Sequence, residues 1–141
     1  MTDLSSLITP DTRIRVSSTL NKSVGKKFLT DGSAETCWTS QQGSPQYIQL
    51  LFTASVIPRR ISLTFQGGFV GTKCVVEVQQ REEGGWMNAA RLYPEDVNRK
   101  QVFDIDWPNE IVGLKLIFEE SSDFFGRIAV YDLGVGGIIP L

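Results

Sequence analysis

A chain of 141 residues with 14 basic and 16 acidic side chains, no histidine and two cysteines suits one domain spanning residues 1–141, large enough to hide roughly 70% of its unfolded surface without staples. The net charge of −2, with both signs interspersed along the chain, leaves no electrostatic footprint for a phosphate backbone or an anionic membrane, so neither nucleic acid nor membrane is an expected partner. No apolar run approaches the ~20 residues of a membrane span, and the opening MTDLSSLITP lacks the regions of a signal peptide; a monomer of the nucleus or cytoplasm, not secreted, is expected.

In chain order, Arg13 to Ser18 predicts a short strand, because Ile14 and Val16 alternate before polar residues break the pattern. Lys22 to Lys27 is basic and exposed. Asp31-Gly32 is a tight-turn dipeptide, and residues 31, 33, 35 and 36 offer side-chain oxygens in a short arc ahead of Trp38. Gln46 to Phe52 reads as a strand, and so does Arg60 to Phe65, whose Ile61, Leu63 and Phe65 share one face. A glycine-rich turn over Gln66 to Gly71 leads to a strand from Cys74 to Gln80, a turn at Glu82 to Gly85 and a returning strand from Trp86 to Leu92. Tyr93 to Asn98 is a loop.

Strands follow at Gln101 to Trp107 and Gly113 to Glu119, with one short helical turn expected at Asp106 to Ile111 between them. Ile128 to Val135 is apolar on both faces, as in a central strand. Seven or eight short strands and no long helical pattern make an all-β sandwich. Trp38, Phe65, Phe103 and Phe118 fall where strands bury them, whereas Phe69, Trp86, Tyr93, Phe124 and Phe125 fall in turns and mark a contact surface or fold back over the sandwich ends.

The order Asp31-Gly32, Thr36-Cys37-Trp38, a Gly/Pro turn and a strand opening Gln46-Tyr47-Ile48 resembles the discoidin (F5/8 type C, galactose-binding-like) family of jelly-roll β-sandwiches. Five blocks, Val24 to Lys27, Glu35 to Trp38, Phe65 to Phe69, Tyr93 to Asp96 and Asp123 to Arg127, resemble more narrowly a family of small proteins associated with an orphan nuclear receptor of subfamily 2 group C. That resemblance implies a nuclear repressor of receptor transactivation, with a protein partner. Secreted discoidin domains usually tie their ends with a disulfide, and neither terminus here has a cysteine; Cys37 and Cys74 read as buried free thiols. Alternatives of the same fold are a lectin-like carbohydrate binder, a phospholipid binder using Phe69 and Lys73, and a subunit of an intracellular assembly such as the intraflagellar transport machinery.

Catalysis is not expected. Without histidine, neither Ser-His-Asp nor Cys-His chemistry can be assembled. The pairs Glu82-Glu83, Glu95-Asp96 and Glu119-Glu120 are adjacent residues, which on a strand face opposite ways rather than across a cleft. The resemblance implies a structural calcium on Asp31, Thr36 and Asp132 with carbonyls of Leu29 and Ser33; hydrogen bonding of Asp31 and Thr36 to their own loop is the competing reading. The expected partner surface is Phe69, Tyr93, Phe124, Phe125 and Arg127, of which Arg127 can instead pair internally with Asp31, Asp123 or Asp132.

Overall fold

The computed structural model describes residues 4–141. Nine strands follow in order: β1 (Ser5–Ser6), β2 (Arg13–Val16), β3 (Trp38–Thr39), β4 (Gln46–Phe65), β5 (Gly71–Gln79), β6 (Trp86–Leu92), β7 (Lys100–Asp104), β8 (Ile111–Ser121) and β9 (Ala129–Ile138). Two short 3-10 turns, Lys22–Val24 and Lys26–Leu29, sit between β2 and β3. All pairings are antiparallel.

The long strand β4 belongs to both layers. Its first half pairs Gln46–Leu51 with Phe118–Gly113 of β8, within a layer ordered β2-β4-β8-β5-β6. Its second half pairs with β9 on one side and β7 on the other, and β1 and β3 extend that layer beyond β9. The sequence predicts two strands here, Gln46 to Phe52 and Arg60 to Phe65, and the structure has one. Alternation fails at exposed Thr53 and Ala54 because the strand changes layers there: its ladder with β8 shifts register between Leu51 and Val56, which bends the strand without ending it. Pro58 is tolerated because it stands at a second shift, before the β7 ladder starts at Arg60.

Period-two patterning on both layers turns Ile48, Leu50, Ile61, Leu63, Leu114 and Leu116 into one fully buried cluster. Phe65 and Phe118, also buried, meet edge to face with centroids 5.7 Å apart. Trp38 is buried with its Nε1 donating to the Ser18 carbonyl at 3.0 Å, as a buried indole requires. Phe103 is half-buried and packs against the same cluster.

Three expectations need correction. No helical turn forms at Asp106 to Ile111; the segment runs irregularly, with Arg59 Nη1 donating to the Trp107 carbonyl at 2.8 Å. Trp86 opens β6, as the strand expected from Trp86 to Leu92 has it, and so does not belong with the turn aromatics; it is half-buried beneath the Lys115 ammonium 4.4 Å from its ring. Cys74 is buried and free as expected, whereas Cys37 is only half-buried.

Candidate functional site

The end of the sandwich where β4 begins and β8 finishes gathers four loops, and hydrogen bonds lock them to one another. Gly43 N donates to Phe125 O at 2.7 Å, Ser122 N to Val70 O at 2.8 Å, and Ala129 N to Phe69 O at 3.0 Å. The Asp96 carboxylate accepts from Gly68 N at 2.8 Å and from Ser122 Oγ at 3.2 Å, while Asn98 Oδ1 accepts from Gly67 N. The loop after β6 is thereby tied to the loops before β5 and after β8.

The segment Asp123 to Arg127 closes on itself within this frame. Asp123 Oδ2 accepts from both the backbone N and the Nε of Arg127 at 3.0 Å, and Gly126 N donates to Asp123 O at 3.0 Å. Gly126 supplies the left-handed φ of +87° that this closure requires. The Arg127 hydrogen bond holds the Asp123 carboxyl below the ordinary carboxylate range, and Asp123 in turn raises the Arg127 guanidinium. Of the three internal partners open to Arg127, the structure uses Asp123. The guanidinium lies 5.2 Å from the Phe69 ring centre and 5.8 Å from that of Phe125, so the ion pair also carries cation–π contacts.

Phe124 is left outside this bracing. It is 93% exposed, and Phe125, 53% exposed, meets it edge to face at 5.2 Å. Tyr93 is 62% exposed on the neighbouring loop at the same end. Of the residues expected to form a partner surface, the structure brings Phe69 and Phe125 to Arg127 and sets Phe124 against Phe125, while Tyr93 stands exposed without contact to them. The polar braces Asp96, Asn98 and Ser122 were not among the expected site residues; their only sequence signal is a run of turn formers.

At the other candidate, Asp31 spends its carboxylate on its own loop. Oδ1 accepts from Ser33 N at 3.1 Å and Oδ2 from Thr36 Oγ1 at 2.6 Å, and these bonds lower its pKa, with Thr36 the larger cause. Leu29 closes the second 3-10 turn fully buried. Asp132, half-buried on β9, is pushed up by burial, pulled down by Lys100 and raised again by the charge of Asp31. Two carboxylates thus feel each other beside a hydroxyl, a donor set that fits calcium in kind. Among the described residues no third acidic, cysteine or histidine side chain joins them, so the site is poor in charge. The carboxylate pairs have separate partners or none: Glu95 pairs with Arg99, Glu119 with Arg91 and Glu120 with Lys73, while Glu82 and Glu83 lie exposed in a turn.

No family model matches the chain. It is 44% identical over 135 residues to the nuclear receptor 2C2-associated protein of Danio rerio, covering 94% of this chain and 95% of that one. To the protein of that name from Homo sapiens it is 40% identical over 135 residues, covering 94% and 96%. Among solved structures it superposes on an F5/8 type C domain from Bacteroides fragilis with a TM-score of 0.82 at 12% identity, covering 98% of this chain and 99% of that one. A carbohydrate-binding module from Clostridium perfringens, solved with GalNAc-β-1,3-galactose, gives 0.78 at 19% identity over 93% and 99%.

Proposed function

The chain belongs to the nuclear receptor 2C2-associated protein family and has the discoidin-like, galactose-binding-like jelly-roll fold, and from this premise we propose that it is a non-catalytic protein-interaction module acting in the nucleus on an orphan nuclear receptor of subfamily 2 group C, whose transactivation it represses. One observation carries the reading: Phe124 and Phe125 stand exposed on a loop whose backbone is already fixed by Asp123, Gly126 and Gly43. A rigid aromatic tip loses little entropy on docking. Full burial of one such side chain is worth roughly 1.5–3 kcal/mol, and aromatic anchors of this kind dominate binding hot spots.

The carbohydrate-binding alternative is less well supported, because a sugar site needs free polar donors beside its aromatic platform and the Arg127 Nε is committed to Asp123. A calcium ion, in our reading, is a structural brace on Asp31, Asp132 and Thr36, with carbonyls of Leu29 and Ser33; it would offset the burial that chiefly raises Asp132 and the smaller repulsion from Asp31, and supplies no reactive group.

The test is a calorimetric titration of the protein into the receptor's DNA-binding and ligand-binding regions. Saturable binding is expected to one of them, weakened at least about tenfold by Phe124→Ala with Phe125→Ala in a protein that still unfolds cooperatively by circular dichroism. Absence of binding to both regions, or indifference to the double substitution, refutes the reading; saturable binding of galactose instead would transfer it to the lectin class.

A further inference from the structure

The cations of this chain are evenly spread only in the net sum. Five of the fourteen, Arg13, Arg15, Lys22, Lys26 and Lys27, fall between residues 13 and 27, and four of these line one open groove of about 490 Å³. Arg13 and Arg15 reach it from β2, an edge strand whose register sets them opposite Leu51 and Gln49 of β4. Alternation sends Ile14 and Val16 toward the core and leaves both arginines exposed. Lys26 and Lys27 reach the groove from the second 3-10 turn, also exposed.

Among the described residues no carboxylate lines this groove, although Arg13 also borders the neighbouring groove that holds Glu82 and Glu83. Among the described residues none of the four cations takes part in an ion pair, although Arg60, Lys73, Arg91, Arg99 and Arg127 each do. Four cations gathered with no direct ion pair, against the nearby Asp11, Glu82 and Glu83, still leave a locally positive lining that an anion relieves. The half-buried side chains of Ile14 and Leu51 line the same space, so apolar contact is available beside the charge.

We propose that this groove docks a short acidic segment of a partner protein, one carrying apolar side chains among its carboxylates. Arginine forks match carboxylates bidentately, and clustered basic side chains are the usual device for acidic motifs. A nucleic acid fits less well. Beyond residue 30 the chain carries nine cations against fourteen acidic groups, so a long polyanion would meet repulsion outside the groove, whereas a short segment feels mainly the charges within a Debye length of about 8 Å. The groove does not involve the aromatic end: Leu51 lies on the outer face of the β2-β4-β8 layer, and none of the exposed aromatics lines the space. The inference therefore stands or falls separately from the receptor assignment.

The probe is a fluorescein-labelled octapeptide of alternating glutamate and leucine, followed by fluorescence anisotropy at low and high salt. Saturable binding that weakens with salt is expected, with at least about a tenfold loss in Arg13→Glu with Lys27→Glu, and no change in Phe124→Ala with Phe125→Ala. Lys26→Glu with Lys27→Glu, confined to exposed turn side chains, gives a second charge reversal should the first not fold, as checked by circular dichroism. Any of four results overturns the proposal: no saturable binding, affinity indifferent to both reversals, equal affinity for an eight-nucleotide single-stranded DNA, or a concentration-dependent dimer in sedimentation that the reversals abolish, which would give the groove to a second copy of this chain.

Discussion

Replacing Gly126 by alanine tests whether the aromatic loop is held as the structure describes. Gly126 has φ of +87°, and a Cβ built there would lie 2.9 Å from the carbonyl carbon and oxygen of Gly43 and 2.9 Å from Ser44 Oγ. The left-handed conformation costs roughly 1–2 kcal/mol once a Cβ is present. The clash with Gly43 is with backbone, so no rotamer relieves it; the two loops must separate, losing the 2.7 Å bond from Gly43 N to Phe125 O, worth about 0.5–1.5 kcal/mol. Together these give about 1.5–3.5 kcal/mol. Unfolding entropy for a chain of 141 residues is roughly 0.3 kcal/mol/K, so the thermal midpoint should fall by about 5–12 °C, read by circular dichroism. Gly32→Ala is the matched control: its φ is +74°, but nothing lies within 4 Å of the added Cβ. That variant carries only the conformational cost, and the difference of about 1 kcal/mol between the two isolates the loop–loop contact. Equal midpoints for Gly126→Ala and Gly32→Ala would refute the claim that the Gly43 loop clamps the aromatic one.

Asp123 titrates below its usual 3.8 in the folded chain, so it contributes stability above that value that is lost as pH falls through the lowered pKa; Asp123→Asn should flatten the acid limb of a urea-midpoint series, and an unaltered limb would show the Arg127 pair to be inert. Asp132 has the opposite sign: its pKa is raised by burial, so its contribution is present below 3.8 and lost as pH rises through the raised value. At neutral pH in chelator, Asp132→Asn should therefore raise the thermal midpoint, and calcium should raise that of the parent but not of the variant; a lower midpoint for Asp132→Asn, or no calcium effect on the parent, counts against the brace. Burial pushes the Cys74 thiol up while Cys37 is partly accessible, so a thiol reagent should titrate one cysteine in the native protein and two in urea; two in the native state would contradict the packing of β5. A double-mutant cycle of Phe65→Leu and Phe118→Leu should show about 0.5–1.5 kcal/mol of coupling from their edge-to-face contact, and strict additivity would exclude it.

What could be read from the sequence depended on how local its cause was. Arg60 to Phe65 was legible because one face of β4 stays against one core, so alternation survives. The same strand was misread at Thr53 to Arg59 because inside and outside exchange roles where it changes layer, and a period-two pattern has no meaning across that point. Trp86 could be read both as the start of the strand to Leu92 and as a turn aromatic because it directly follows Gly84-Gly85; what covers its ring is Lys115, distant in sequence. Phe124 and Phe125 stood out for a local reason: two adjacent aromatics on an extended chain cannot both face one core. The braces that aim them could not be foreseen, since Asp96 meets Gly68 and Gly43 meets Phe125 only once the strands have brought four loops together. Net charge, for a related reason, does not show that four of the cations near β2 line one groove while the remainder of the chain is acidic.

The neighbours with this sandwich share only 12–19% of its residues, so the core pattern carries the fold and the end loops are free to carry recognition. In this chain the two duties fall on different side chains of one loop. Asp123, Gly126 and Arg127 hold the backbone through bonds made within the protein, and Phe124, at 93% exposure, buries almost nothing in return for its place. Removing its ring takes from the folded state only the solvent-exposed edge-to-face contact with Phe125, so the stability of the domain should change little. Phe69 differs, because its half-buried ring lies beneath the Arg127 guanidinium and its loss would disturb the tie as well as the surface. If Phe124 can be truncated without cost to the fold while Phe69 cannot, the exposed ring is free to serve the proposed docking role and the Phe69 ring serves the loop frame, and comparing the thermal midpoints of Phe124→Ala and Phe69→Ala checks that asymmetry.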